Sequence, residues 1–150
     1  MKEIKIRKIN DAGFLGKLEV VDLGELLKTK TIAEELHRHD FLFLMVLEEA
    51  SGTHQIDFSN YPVEPTSVSI IRPGQVHELT LAQGTKGYAI TFDLSFYPSQ
   101  SKKESFWKIT QSNYRKLGTE PFNTILSVSK RIHEEYTHKK FGYEDMIKAN

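Results

Sequence analysis

The chain has no cysteine, which excludes disulfide frameworks, thiolate metal sites and cysteine nucleophiles together. It has no surplus charge of either sign: twenty Lys and Arg balance twenty Asp and Glu, for a formal net charge of zero. Nucleic-acid affinity comes mainly from neutralised phosphates, so this chain lacks an electrostatic footprint for DNA or RNA of its own. Long apolar runs are missing too. The longest, residues 41–47 (FLFLMVL), is far short of the about 20 residues that span a bilayer as a helix. The opening MKEIKIRKIND alternates charge with isoleucine and lacks the apolar core of a signal peptide. A cytoplasmic location without a membrane partner is the expectation. No internal repeat, low-complexity tract, phosphate-cradling glycine loop, Ser-His-Asp arrangement or paired-carboxylate site stands out.

What is present reads as one domain. The 150 residues, 39% hydrophobic and 27% charged, are enough to bury a core of their own. Near the start, Ile4 and Ile6 alternate with charge like a short edge strand, residues 18–23 suggest another strand, and DLGELLK suggests one helical turn. From residue 37 to 96 short strands are punctuated by turn residues. Residues 41–47 form a continuous apolar run, as in a buried strand. Residues 53–58 alternate, with His54, Ile56 and Phe58 on one side. Residues 60–66, with Pro62 and Pro65, read as a loop. Strands follow at 68–71, 76–81 and 88–92, separated by Pro73-Gly74 and by a Gln-Gly-Thr-Lys-Gly turn. No crossover helix lies between them, so the pattern predicts an antiparallel sandwich or barrel.

After residue 96 the pattern changes. Residues 98–105 are polar and read as a loop, and 106–117 as a short helix anchored by Trp107 and Tyr114. Thr119-Glu120-Pro121 opens a clearer helix. Phe122, Ile125, Leu126, Ser129, Ile132 and Tyr136 fall on one of its faces at helical spacing. Gly142 stops it, and Tyr143 starts a second helical pattern that residue 150 cuts short.

His37 and His39, two apart, share a face if the segment is extended, a parity continued by Phe41, Phe43 and Met45. His77 starts a later strand and shares its face with Leu79 and Leu81. Three imidazoles on two strands could hold a first-row metal. They could equally hydrogen-bond at a barrel mouth or contact a polar group of a ligand. His37-Arg38-His39 and Pro73-Gly74-Gln75-Val76-His77 resemble the metal-binding pattern of cupins, but the carboxylate of that pattern would fall at Phe43 or Leu44 and is absent.

A longer resemblance covers about 60 residues. HRHDF, GTHQIDF, YPVEP, IRPGQVH and KGYAITF follow in the order found in the N-terminal sensor domain of AraC-type transcriptional regulators, with Pro65-Thr66 standing where that family usually has Pro-Gly. The resemblance implies a mainly β fold, a double-stranded β-helix (cupin-like jelly-roll barrel) with C-terminal α-helices. Residues 1–97 would be the barrel. Residues 98–150 would be a helical segment whose hairpin makes a homodimer, its second helix truncated. The DNA-binding helix-turn-helix domain would follow residue 150, so DNA would be a partner only through that domain.

The expected function is small-molecule effector sensing and dimerisation, without catalysis or a cofactor. A sugar is one candidate effector. Parity then assigns ligand contacts to His37, His39, Phe41, Phe43, Ile56, His77, Tyr88 and Phe92, with Tyr88 as the plausible stacking platform. The rival is a metal-dependent cupin isomerase or dioxygenase using His37, His39 and His77. The Ile125, Leu126, Ile132 and Tyr136 stripe could pack on its own barrel or on a second subunit. His54 reads as a half-buried strand residue, Arg72 as a solvated strand end, and His133 and His138 as part of the helix's polar side.

Overall fold

The computed structural model describes residues 3–7, 18–93, 100–138 and 146. Among the described residues ten strands and three helices follow one another: β1 Lys5–Arg7, β2 Leu18–Asp22, α1 Leu23–Leu26, β3 Ile32–His39, β4 Leu42–Glu49, β5 Gly52–Ile56, β6 Ser59–Tyr61, β7 Ser67–Ile71, β8 Val76–Leu81, β9 Lys86–Phe92, α2 Gln100–Ile109, β10 Tyr114–Lys116 and α3 Thr119–His138. They form two five-stranded sheets, β1-β3-β8-β5-β6 and β10-β7-β4-β9-β2. Every pairing is antiparallel except the edge pair β1–β3, which is parallel. The Gly-Glu-Leu turn of α1 is capped by Asp22, whose carboxylate accepts from the Glu25 amide at 3.2 Å.

The sheets differ in what covers their outer faces. The first turns Ala33, Glu35, Thr53 and Glu78 to solvent, hence the alternation within β5. The second is apolar on both faces, hence the unbroken run of β4. Its inner face, with Met45, Leu47 and Ala89, meets Leu79 and Leu81 across the sandwich. Its outer face, with Leu18, Val20, Leu42, Val46, Ile90 and Phe92, is covered by α3 through the fully buried Phe122. Ile125, Leu126, Ile132 and Tyr136 pack against the same outer face and stay half-buried.

Several local expectations change. The helix expected at 106–117 is instead α2, beginning at Gln100 and ending at Ile109, followed by β10. Tyr114 is therefore a strand residue, paired with Ser69 of β7, and Trp107 is 39% exposed rather than an anchor. The second sheet thus takes an edge strand from beyond residue 97. Residues 60–66 are not all loop, because β6 pairs with β5. Phe58 leaves the strand face: Asp57 and Phe58 have φ of 47° and 66°, the backbone of a two-residue hairpin turn, and Phe58 is 69% exposed. The helical stop at Gly142 and the pattern from Tyr143 lie outside the described residues, apart from Met146.

Thr66 also has a positive φ, 55°, at the position where the sequence departs from Pro-Gly. A β-branched residue there is strained by about 1–2 kcal/mol, whereas glycine relieves the strain and loses part of the gain to unfolded-state freedom. Thr66→Gly is expected to raise the unfolding free energy by about 0.5–1 kcal/mol, read from a shifted urea midpoint at constant m-value. An unchanged or lower midpoint would show that the hydroxyl's 2.7 Å bond to the Pro65 carbonyl outweighs the strain.

Candidate functional site

A cavity of about 190 Å³ lies between the two sheets, walled by residues of β2, α1, β3, β4, β8 and β9. Most of its wall is apolar, including Val21, Leu26, Ile32, Phe43, Met45, Leu79, Leu81 and Ala89. Its polar groups are the imidazoles of His37, His39 and His77, the carboxylates of Glu19 and Glu34, and Thr91. For scale, a cavity of about 150 Å³ accommodates benzene, so the space suits a compact molecule.

An irregularity of β3 aims the histidines inward. Ile32 and Glu34 pair with Leu81 and Leu79, but the next pair is His37 with His77, so one extra residue sits on β3. This bulge reverses the side-chain alternation. Before it the even-numbered Ile32 and Glu34 line the cavity, and after it the odd-numbered His37 and His39 do. Each of the three imidazoles is no more than 5% exposed. His37 Nδ1 donates to the Glu35 carbonyl at 2.5 Å. His37 Nε2 lies 2.8 Å from His39 Nε2, and His77 Nε2 lies 3.1 Å from the same His39 atom. Behind them, His54 Nε2 is 3.2 Å from His77 Nδ1.

The turn before His77 is fixed by side chains. Gln75 accepts from the Arg72 amide at 2.9 Å and from Asn113 Nδ2 at 2.7 Å, and donates to Asp57 at 2.8 Å. Asp57 also accepts from the Val76 amide at 3.0 Å. These bonds tie the start of β8 to the β5–β6 turn and to the residue preceding β10.

His54 is buried rather than half-buried, and desolvation lowers its pKa from 6.5 to about 4. The unfolded chain takes up this proton below about pH 6.5, and the folded chain only near 4. Stability is therefore complete above pH 6.5 and declines as pH falls through that window. The loss is expected to approach about 3 kcal/mol. Melting of the chelator-treated chain between pH 7 and 4.5 checks this: His54→Gln should flatten the acid side of the profile. An equally steep profile in that variant would assign the loss to other groups.

Of the eight residues expected to contact a ligand, His37, His39, Phe43 and His77 line the cavity. Phe41 lies beside it, its ring stacked on His39 with centroids 4.5 Å apart and planes 9° apart. Ile56 is buried opposite His77 in the β5–β8 pairing and is not part of the wall. Tyr88 and Phe92 are on the other side of the sheet. Their partners across β4 are Val46 and Leu42, which face α3, and the Tyr88 ring meets His133 of that helix at 5.6 Å. Desolvation, with Asp22, Glu134 and Glu48 nearby, raises the Tyr88 pKa. Arg72 is half-buried and also lies off the wall. Sequence reasoning did not find Glu19, Val21, Glu34, Ala89 or Thr91. The last two are the small alternate residues of β9, which leave the space that large side chains would fill.

A larger and almost wholly apolar groove of about 460 Å³ lies under α3, lined by residues of that helix and of the outer sheet face, with Arg115 among them. Among the described residues no helix is long and apolar enough to cross a membrane.

Two stacked sheets with a small cavity between them and a helix on the outside define a cupin-like barrel. The chain belongs to the AraC-like ligand binding domain family, whose model matches residues 31–106. It resembles the crystal structure of an apo ToxT variant from Vibrio cholerae strain SCE256, with a TM-score of 0.54 at 11% identity over 87% of this chain. The match covers 50% of the ToxT chain, so this chain spans half of that length. A weaker likeness joins it to the plu4264 protein of Photorhabdus luminescens, with a TM-score of 0.34 at 14% identity, covering 64% of this chain and 87% of that one. No curated protein sequence matches the chain.

Proposed function

We propose that this chain is the effector-sensing and dimerisation part of an AraC-type transcriptional regulator, with the effector held inside the barrel. The observation that carries the reading is that one sheet has the cavity on its inner face and α3 on its outer face. An effector that fits one arrangement of that sheet better than another shifts the population by its differential affinity, and α3 receives the change. DNA would be engaged by a domain outside this chain, and catalysis has no part in the scheme. A homodimer would use the half-buried Ile125, Leu126, Ile132 and Tyr136 stripe together with the chain beyond α3.

The barrel cavity is favoured over the groove under α3 because polar groups converge there on an apolar wall, the usual make-up of a small-molecule site. The same wall argues against a sugar: Tyr88 faces away, and hydroxyls all round a ring would meet Met and Leu. A compact effector with an apolar body and one polar end fits better.

Ala89 points into the cavity, so Ala89→Leu fills it from a central strand. A thermal-shift screen of small amphipathic compounds should give hits on the native chain. Their affinity should fall at least about tenfold in Ala89→Leu, with Arg115→Ala, in the other groove, as control. Hits that survive Ala89→Leu but not Arg115→Ala would move the effector to the groove.

A further inference from the structure

The groove under α3, at about 460 Å³, has the size of a small-molecule site, for which about 300–1,000 Å³ is usual. Its floor is the outer face of the second sheet, with Leu42, Ile90 and Phe92, and its roof is α3, with Ile125, Val128 and Ile132. Two hydroxyls of α3 reach the wall, and both donate within their own helix. Thr124 Oγ1 bonds the Glu120 carbonyl at 3.2 Å and Ser129 Oγ the Ile125 carbonyl at 2.8 Å. Among the described residues Arg115 is the one charged side chain of the wall.

Strand β10 puts Arg115 there. Side chains alternate along it, so Arg115 and Leu117 line the groove while Tyr114 and Lys116 turn to the other face. On that face both meet Glu64, the tyrosine by a hydrogen bond and the lysine at 4.0 Å. The nearby carboxylate is thus engaged away from the groove. Arg115 Nη2 reaches the Ile109 carbonyl only at 3.4 Å, long for a hydrogen bond. No carboxylate among the described residues pairs with it.

The geometry points to a binding site for a free organic carboxylate with an apolar body, the body lying under α3 and the carboxylate on the Arg115 guanidinium. The planar fork of Arg matches a carboxylate through two parallel hydrogen bonds. The rest of the wall offers a guest no free hydroxyl proton, so further polar groups on the guest would lose water without replacement. Ile109, 57% exposed, also lines the groove, and the guest would cover it. The site lies on the opposite face of the sheet from the barrel cavity and does not rest on the sensing reading.

The test is calorimetric titration of the 150-residue chain with para-alkylbenzoates of increasing alkyl length, and with the matching para-alkylbenzyl alcohols. Each added methylene should tighten binding about three- to fourfold until the groove is filled. Each acid should bind about fivefold tighter than its alcohol, a modest factor because Arg115 is exposed. Arg115→Gln should abolish that preference and leave the alcohols unchanged. Val128→Trp, which fills the groove from α3, should weaken acids and alcohols alike at least about tenfold. Ala89→Leu should change neither, since the longer compounds exceed a barrel cavity of about 190 Å³. Val128→Trp could also disturb α3, so the native chain supplies a second readout. Side-chain methyl resonances of Ile109, Ile125 and Ile132 should move on addition of para-butylbenzoate, while those of Met45 and Leu79 do not.

An acid preference that persists in Arg115→Gln, or a native chain that binds none of the acids, would overturn the proposal. Binding lost in Ala89→Leu and kept in Val128→Trp would place these acids in the barrel, which removes the groove site and leaves the sensing reading standing. A chain that rejects the acids but self-associates, and becomes monomeric with Val128→Trp, would give the groove to a second copy and equally overturn the proposal.

Discussion

Phe122→Ala is expected to lower the unfolding free energy by about 3–5 kcal/mol, the usual cost of emptying a fully buried aromatic site. Phe122 is 1% exposed and is the member of α3 that enters the core of the outer sheet face, among Leu18, Leu42, Ile90 and Phe92. Its core neighbours Leu18, Leu42, Ile90 and Phe92 already line the groove of about 460 Å³ on another side, so few atoms are at hand to refill the space left behind. The rest of the α3 stripe is half-buried and cannot replace this anchor. Amide exchange should therefore show α3 losing protection before β4 and β9 do. Phe122→Leu, which keeps most of the volume, should cost less than about 1.5 kcal/mol. Equal costs for the two variants would mean that α3 is held by the sum of its stripe.

Gly87→Ala is the second large effect, expected at about 4 kcal/mol, near the upper end for a single substitution. Gly87 has φ of +143°, and a Cβ there would sit 1.9 Å from the Val46 carbonyl oxygen and 3.0 Å from its carbon. The obstacle is backbone of the central β4–β9 pair, so no side chain can swing away. Gly84→Ala separates this clash from the conformational cost. Gly84 has φ of +87° with nothing within 4 Å of its Cβ, so about 1–2 kcal/mol is expected there. Chemical denaturation of the two variants decides it, and similar losses would show that β9 can shift to admit the methyl. Gly52, with a Cβ position 2.0 Å from the Thr80 carbonyl oxygen, plays the same part for β5 against β8. The glycines of the GTHQIDF and KGYAITF segments are thus places where two strands approach too closely for a side chain.

Apart from β6, which reads as loop, the strand positions from residue 41 to 92 were legible because turn residues punctuate them, and the buried face of α3 because six residues kept helical spacing. The inward face of β9 was not. Tyr88, Ile90 and Phe92 alternate with Gly87, Ala89 and Thr91, and in a strand buried on both sides either set can face the interior. Parity assigned Tyr88 and Phe92 to the pocket wall, whereas the large set faces α3 and the small set leaves the cavity. The β3 bulge was equally hidden, because parity read from His37 onward carries no record of the reversal before it. β10 is three residues long and owes its existence to a partner more than 40 positions away, which a local helical reading of Trp107 and Tyr114 could not sense.

The sheet that separates the cavity from α3 is a diaphragm one strand thick. Along β4 the side chains of Phe43 and Met45 touch the chamber, while those of Leu42, Leu44 and Val46, each a single peptide unit away, bear on the helix side. Pushing Met45 aside leaves the strand no slack in which to absorb the movement, because both of its neighbours are hydrogen-bonded along its length. A molecule entering the chamber would deflect the partition as a whole, and a relay of separate side chains is not required.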